Sequence, residues 1–444
     1  MFFLSKDIEL TPQLLRKMIE RFSLDVEPKL SKYKNYYDGI QSILQKKYED
    51  PSKPCNKTVT NYMRNLVDSY VGYMAAPGHI SYSSQQDIED IMDILRYNDY
   101  QTEDADFLLN ALVYGTAAEL MYVDALGKTR FKQINPTQCF GVYDDSLSGD
   151  LIYFVRFYKI NDWDYSDNYC VDVYSDTNIK KYSMTGMNGE LHFIEEIPHY
   201  FAQCPANIFS LPDEKSLFDC VMSLQDSVNE LLSGEIDDFS AFCDAYLCLE
   251  GVDADIDDIN AMKESRVMLV PTGAKAYYLT KSANDSQVEN ILKRIHDSIY
   301  RIAQCPDFSS ETFVGGVSSG IAIQYRLTGM ENRAAIIEGA MKKALQRRVE
   351  IICGIASLAM GEEVFRDIEI QFKRNIPADE TAKINLINAL KGTVSDATLL
   401  GQLDFIPDVN AELEAVKAQK EENMAMYSFG TPQTLTEEDT EDEI

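Results

Sequence analysis

The stretch Ile302–Leu327, IAQCPDFSSETFVGGVSSGIAIQYRL, joins the end of one amphipathic helix to the start of a much longer one through a loop of small residues. Pro306 stops the first helix, because proline has no amide donor and its ring clashes with the turn before it. From Gly320 to Met360, Ile323, Leu327, Met330, Ala334, Ile337, Met341, Leu345, Val349 and Ile352 recur at three–four spacing. That is the stripe of a helix roughly 60 Å long, more than a small domain spans. Gly329, Gly339 and Gly354 are its candidate bend points. Within the loop, Gly316-Val317-Ser318-Ser319-Gly320 fits the G-x-S-x-G elbow of serine hydrolases. That elbow needs a strand before the serine and a histidine after it in the chain. Here a helix precedes the loop, and His79, His192, His199 and His296 all lie upstream of Ser318. A hydrolase is therefore disfavoured.

Working outward from this crossing, Leu217, Val221, Leu224, Val228, Leu231, Leu232, Ile236, Phe239 and Phe242 mark a helix of about 26 residues. A second helix opens with Ser286-Gln287-Val288-Glu289, a capping-box pattern, and carries Ile291, Leu292, Ile295, Ile299 and Ile302. Between the two lies a compact insert with strands at 245–249, 267–270 and 276–279. Upstream, residues 11–48 read as polar helix, 60–74 as a helix buried through Met63, Leu66, Val67, Tyr70 and Val71, and 88–95 and 104–114 as two more. Alternation then predicts strands at 118–123, 130–134, 151–157 and 169–174, an α+β body with an antiparallel sheet closing near Pro198. Residues 363–372 read as a late strand returning to that sheet. Helical patches at 378–390, 396–400 and 410–426 precede an acidic tail expected to be disordered.

The chain has 444 residues, enough for more than one core, and 45% apolar content. No run approaches the roughly 18–20 apolar residues that cross a bilayer, and the first residues turn charged too early for a signal peptide. Nine scattered cysteines, with no C-x-x-C pair, predict reduced thiols and exclude a disulfide framework or zinc site. A net charge of −31 argues against gripping DNA through its phosphates. Asp253, Asp255, Asp257 and Glu264 mimic a calcium loop, but Asp258 stands where that loop needs glycine. They read instead as a solvated acidic face or a docking surface. Lys342, Lys343, Arg347 and Arg348 form a basic run that either pairs with acidic neighbours or faces nucleic acid. No metal, cofactor or catalytic residue is expected.

In this order, several short motifs resemble the portal proteins of tailed bacteriophages, of the type found in siphoviruses of Gram-positive hosts. They are Asn61-Tyr62-Met63-Arg64-Asn65-Leu66-Val67-Asp68-Ser69-Tyr70-Val71-Gly72-Tyr73-Met74, Tyr114-Gly115-Thr116-Ala117 with Tyr122-Val123-Asp124, and Ile134-Asn135-Pro136. Cys305-Pro306-Asp307-Phe308 with 313–323, and Ile370-Gln371-Phe372 to Asn375-Ile376-Pro377, complete the set, spanning roughly residues 30–425. One departure is Phe209-Ser210-Leu211-Pro212-Asp213-Glu214, where family members often carry an Asn-rich segment, so the family pattern does not fix the start of the stem.

The resemblance implies an α+β portal fold: an α/β wing (1–211), first stem helix (212–242), small α/β clip (243–285), second stem helix (286–305) and tunnel loop (306–319). A long helix (320–360), a strand returning to the wing (361–377), a helical crown (378–426) and the tail (427–444) follow. It also implies a non-enzymatic homo-oligomeric ring of twelve at one capsid vertex of the virion, assembled in the host cytoplasm. Double-stranded DNA would pass through it without sequence specificity during packaging and ejection. Its partners would be the large terminase, the major capsid and scaffolding proteins and a head–tail adaptor, with no membrane. Ser309, Ser310, Glu311, Thr312, Phe313, Val314, Gly315 and Gly316 would border the DNA channel, and Asp253, Asp255, Asp257 and Asp258 would dock partners. The rival readings are an acidic multidomain adaptor without a DNA role and the hydrolase.

Overall fold

A computed structural model describes residues 2–48, 54–160, 167–187, 189–242, 246–251, 272–279, 285–309, 320–355, 364–375 and 387–400, with positions 255, 257, 260, 409, 412, 413 and 415–420. The chain divides into two compact units, Met1–Asn375 and Ile376–Ile444.

The first unit opens with β1 (Phe2–Leu4), α1 (Pro12–Arg21), a π turn, α2 (Glu27–Asp38), α3 (Tyr62–Met74), β2 (Ile80–Ser83), α4 (Glu89–Tyr97) and α5 (Tyr100–Tyr114). Eight strands follow: β3 (Thr116–Val123), β4 (Thr129–Ile134), β5 (Cys139–Asp144), β6 (Leu151–Lys159), β7 (Asn168–Tyr174), β8 (Asn178–Thr185), β9 (Leu191–Pro198) and β10 (Ala206–Ser210). They form a six-stranded sheet in the order β1-β5-β6-β7-β8-β9 and a three-stranded sheet β10-β3-β4. Ala118, Leu120, Ile134 and Ala206 from the smaller sheet pack with Cys139, Phe154 and Tyr174 from the larger one, so the two share a core.

The α+β reading holds, with corrections. The larger sheet is not wholly antiparallel, because β1 joins β5 in parallel. The body does not close near Pro198: β10 returns to pair with β3 over Ala206–Ser210. The late strand, β13 (Glu369–Phe372), pairs with β2 as a separate two-stranded sheet instead of entering the first one.

The motif Tyr114-Gly115-Thr116 sits at the α5–β3 junction. Gly115 ends α5 in the left-handed region at φ +82, and a Cβ there would lie 2.6 Å from the Lys215 nitrogen. Only glycine meets both demands. The close approach is used: Leu211 donates to the Gly115 carbonyl at 3.0 Å, and Leu217 donates to that of Leu112 at 2.8 Å. Residues 211–217 thus bind the end of α5, and Leu217 and Phe218, both fully buried, serve as packing anchors there. The next helix, α6 (Met222–Phe242), accordingly begins after a 3₁₀ turn at Asp219–Val221, later than the apolar pattern predicts.

After α6 come the antiparallel pair β11 (Tyr246–Glu250) and β12 (Lys275–Leu279), then α7 (Asp285–Ile302) and α8 (Gly320–Cys353). The α7 helix starts at Asp285, which places Ser286 inside the first turn and not at the cap. The α8 helix continues through Gly329 and Gly339; Gly354 follows its last residue. Its stripe from Leu327 to Ile352 is buried as read, against β10, β13, α3 and α4. In the second unit, α9 (Asp396–Leu400) is described, with Leu399 buried and the Ser395 hydroxyl accepting from Thr398 N at its start.

Candidate conduit and contact surface

Three of the short motifs, far apart in the chain, converge on α3. Asn61 caps that helix, its side chain accepting from Arg64 N at 3.2 Å. Tyr70, fully buried, donates toward the carbonyls of Ala303 and Gln304 at 3.1 and 3.2 Å, two acceptors that the end of α7 leaves without helical partners. Tyr300 reaches Asn65 Oδ1 at 3.2 Å, and Asn375 N donates to the Tyr73 carbonyl at 3.0 Å. Arg374, beside it, bridges Glu331 and Glu338 of α8 at 2.8–2.9 and 2.6 Å. The start of the 306–319 segment is therefore anchored. Asp307 holds Ser309 through its backbone N (2.9 Å) and hydroxyl (2.6 Å), while His296 packs between Tyr62 and Tyr300 with Nε2 at 3.7 Å from Asp307 Oδ2.

The largest surprise lies on α6. Gln225, Asn229, Ser233 and Asp237, four residues apart, form one buried polar face. They accept from the backbone N–H groups of alternate residues in the chain entering α3. Asn56 N reaches Asp237 Oδ1 at 2.6 Å, Thr58 N reaches Ser233 Oγ at 2.9 Å, Thr60 N reaches Asn229 Oδ1 at 3.0 Å and Tyr62 N reaches Gln225 Oε1 at 3.2 Å. A helix face and an antiparallel extended segment are thus joined rung by rung. Asp237 also takes Asn56 Nδ2 (2.8 Å), Lys46 Nζ (3.2 Å) and Tyr48 Oη (3.1 Å). Burial acts to raise its pKa, but these donors prevail and hold the carboxyl below the usual carboxylate range. Tyr33 and Tyr36 of α2 add bonds to Asp219 (2.6 Å) and Asp226 (2.9 Å).

The apolar side of the same helix is open only toward its C-terminal end: Met222 and Val228 are buried, Leu224, Leu231 and Leu232 are half-buried, and α7 packs against the helix. Phe239 is 70% exposed and Ile236 39%, with Ile291 and Ile302 of α7 and Tyr325 and Ile336 of α8 also exposed. α6 thus departs from the usual amphipathic helix by burying a polar face as well, while its last apolar residues face out of the subunit. The sequence reading found the stripe and missed the polar ladder. The Gln-x₃-Asn-x₃-Ser-x₃-Asp spacing was its available signal.

The basic run does not form one face. Arg348 is fully buried, giving paired bonds at 2.8 Å to the two Glu119 oxygens and a further short one to Asp104, with its guanidinium 4.5 Å from the Phe131 ring centroid. Lys342 pairs with Glu338 at 2.8 Å, and Arg347 with Glu350 at 2.9 Å, leaving Lys343 exposed. The reading of this run as a nucleic-acid face is set aside.

Of the expected channel residues, Ser309 is described and exposed; Ser310, Glu311, Thr312, Phe313, Val314, Gly315 and Gly316 lie outside the described residues. Asp255 and Asp257 are exposed, with Asp257 N on Asp255 Oδ1 at 2.9 Å, whereas Asp253, Asp258 and Glu264 fall outside. No cluster of metal-ligating side chains occurs among the described residues. Cys55, Cys139, Cys170, Cys204, Cys220, Cys305 and Cys353 are free thiols, and burial pushes those of Cys139, Cys204 and Cys305 up to about 12. No described helix is long and apolar enough to cross a membrane.

Comparison with known proteins agrees with the motifs. Residues 24–426 match the family model described as phage portal protein, SPP1 Gp6-like. The chain is also 21% identical over 439 residues to the portal protein of Bacillus phage SPP1, covering 93% of this chain and 84% of that protein.

Proposed function

Because this chain belongs to the SPP1 Gp6-like family of phage portal proteins, a component of the phage capsid, we propose that it works as a ring of identical subunits through which DNA enters and leaves the head. The observation that carries this reading is the C-terminal part of α6, whose polar face is consumed within the subunit while Ile236 and Phe239 face outward. Apolar side chains so placed are covered when neighbouring copies pack side by side. Twelve is the count implied by family resemblance. In this reading α6 and α7 are the stem, 243–285 the clip, 306–319 the tunnel loop and 378–426 the crown.

The ring needs no chemistry of its own; its work is to hold a passage open. A net charge of −31 suits a conduit that must let a polyanion slide, since clustered Lys and Arg would hold it. Native mass spectrometry and negative-stain imaging of the purified protein test the assembly. A ring with a central hole is expected, and a strictly monomeric species across salt conditions would sink the proposal. That outcome is also the one expected of an acidic adaptor.

Two finer assignments follow from it. The loop from Ser309 to Gly316 borders the channel, touching DNA by shape and hydroxyl groups. Phe313→Ala rings should assemble normally yet package or retain DNA poorly, and normal packaging by intact rings would remove the loop from the channel. The acidic insert docks terminase or the head–tail adaptor. Replacing Asp255, Asp257 and Asp258 by Asn should leave rings intact and weaken that binding, an assignment abandoned if affinity is unchanged at both low and moderate salt.

A further inference from the structure

Strand β9 ends the six-stranded sheet, and its outer edge pairs with no other strand among the described residues. Every residue from His192 to Pro198 is exposed, Phe193 at 58% and Ile194 at 53%. An edge strand of this length presents a row of backbone donors and acceptors, and proteins normally blunt such edges with charge, proline, a bulge or cover. Here Pro198 stands only at the end, and no lysine or arginine occurs between Tyr182 and Glu214. Inward, the strand is well fixed. Phe193 meets the Tyr182 ring edge-on at 5.8 Å, Lys181 pairs with Glu195 at 2.9 Å, and Asn178 donates to Glu196 at 2.9 Å. The register slips between Lys181 and Tyr182, so that Ile194 is an extra residue with no partner on β8. The strand is therefore held firmly on one side while its other side offers backbone, exposed apolar side chains and the exposed acid of Glu190.

We propose that the outer edge of β9 is a strand-addition site for an extended segment of a different protein, one that alternates apolar and basic residues. Main-chain bonds would supply the affinity and the side-chain alternation the selectivity. Charge decides between occupants. A second copy of this chain brings the same edge, which carries glutamates and no lysine or arginine, whereas a basic segment is attracted to it. This inference does not depend on the ring.

The test uses the full-length protein and a fluorescein-labelled peptide of alternating valine and lysine. Saturable binding is expected, weakened roughly tenfold or more by Phe193→Lys or Ile194→Lys. Leu126→Lys, in the exposed turn between β3 and β4, should change nothing. The same peptide N-methylated at alternate residues should fail to bind, because its backbone donors are blocked. A lysine–serine peptide should bind far less well, because it keeps the charge and loses the apolar side chains. Equal binding of the N-methylated or the lysine–serine peptide to the unmodified protein overturns strand addition, even if the β9 variants fold poorly. Binding to dissociated subunits that disappears in the assembled protein also overturns it, by showing that another copy covers the edge.

Discussion

Arg348 shows how far a residue's meaning can depend on partners that the linear chain does not reveal. On α8 it reads as one of four basic residues in a run, yet Asp104 on α5 and Glu119 on β3 meet it in the interior. Those partners lie 244 and 229 positions away, and no local pattern links them. Asn207 completes the cluster, donating to Glu119 Oε1 at 2.6 Å and to the Ala344 carbonyl at 2.8 Å. Burial pushes the Asp104 carboxyl up, while Arg348 pulls against it and itself stays charged. Removing one partner of such a group strands the others without solvent. Arg348→Met is expected to cost about 3–5 kcal/mol in urea unfolding; a loss under about 1 kcal/mol would show that the carboxyls do not depend on it.

At the scale of elements, α6 was half legible. Three–four spacing located the helix and its apolar side, because periodicity follows from helix geometry alone. It could not say which side faces inward, since that depends on the segment at 56–62 lying along the helix. The ladder can be probed directly. Asn229→Leu removes the acceptor of Thr60 N and of the Thr60 hydroxyl, so a cost of about 1–3 kcal/mol is expected. Hydrogen exchange at the Thr60 amide should quicken more than exchange in the six-stranded sheet; a uniform change across both would assign the loss to general destabilisation. Asp237 adds a pH signature. Its folded pKa is depressed, so its contribution is present above the ordinary carboxylate pKa and is lost as pH falls through the folded value. Protection at Asn56 should therefore fade on acidification, and Asp237→Asn should flatten that response.

For the whole molecule, the order of helices, the sheet-rich middle and the insert between two long helices were all readable. Strands β5, β8, β9 and β10 were not. CFGVYD is mostly buried, and NIKKYSMT and LHFIEEIP lack clean alternation. Their place in the fold comes from neighbouring strands, and local preference contributes little. The surface reading makes its own prediction. Ile236→Asp or Phe239→Asp should leave the subunit's circular dichroism spectrum that of the parent, because both side chains are exposed in the subunit. Light scattering should then show smaller species. Intact rings from both variants would mean that the apolar side of α6 is not a contact between copies.

The α6 ladder also behaves as a vernier, two rulers whose graduations almost match. Four helical residues advance about 6.0 Å, whereas two extended residues advance about 6.6 Å. Each rung therefore slips by about 0.6 Å, and three intervals accumulate about 1.8 Å. The four side chains absorb the slip, and every bond stays between 2.6 and 3.2 Å. The longest reach falls to glutamine, one methylene longer than the asparagine before it. The fourth graduation falls on Tyr62, where the chain already enters α3.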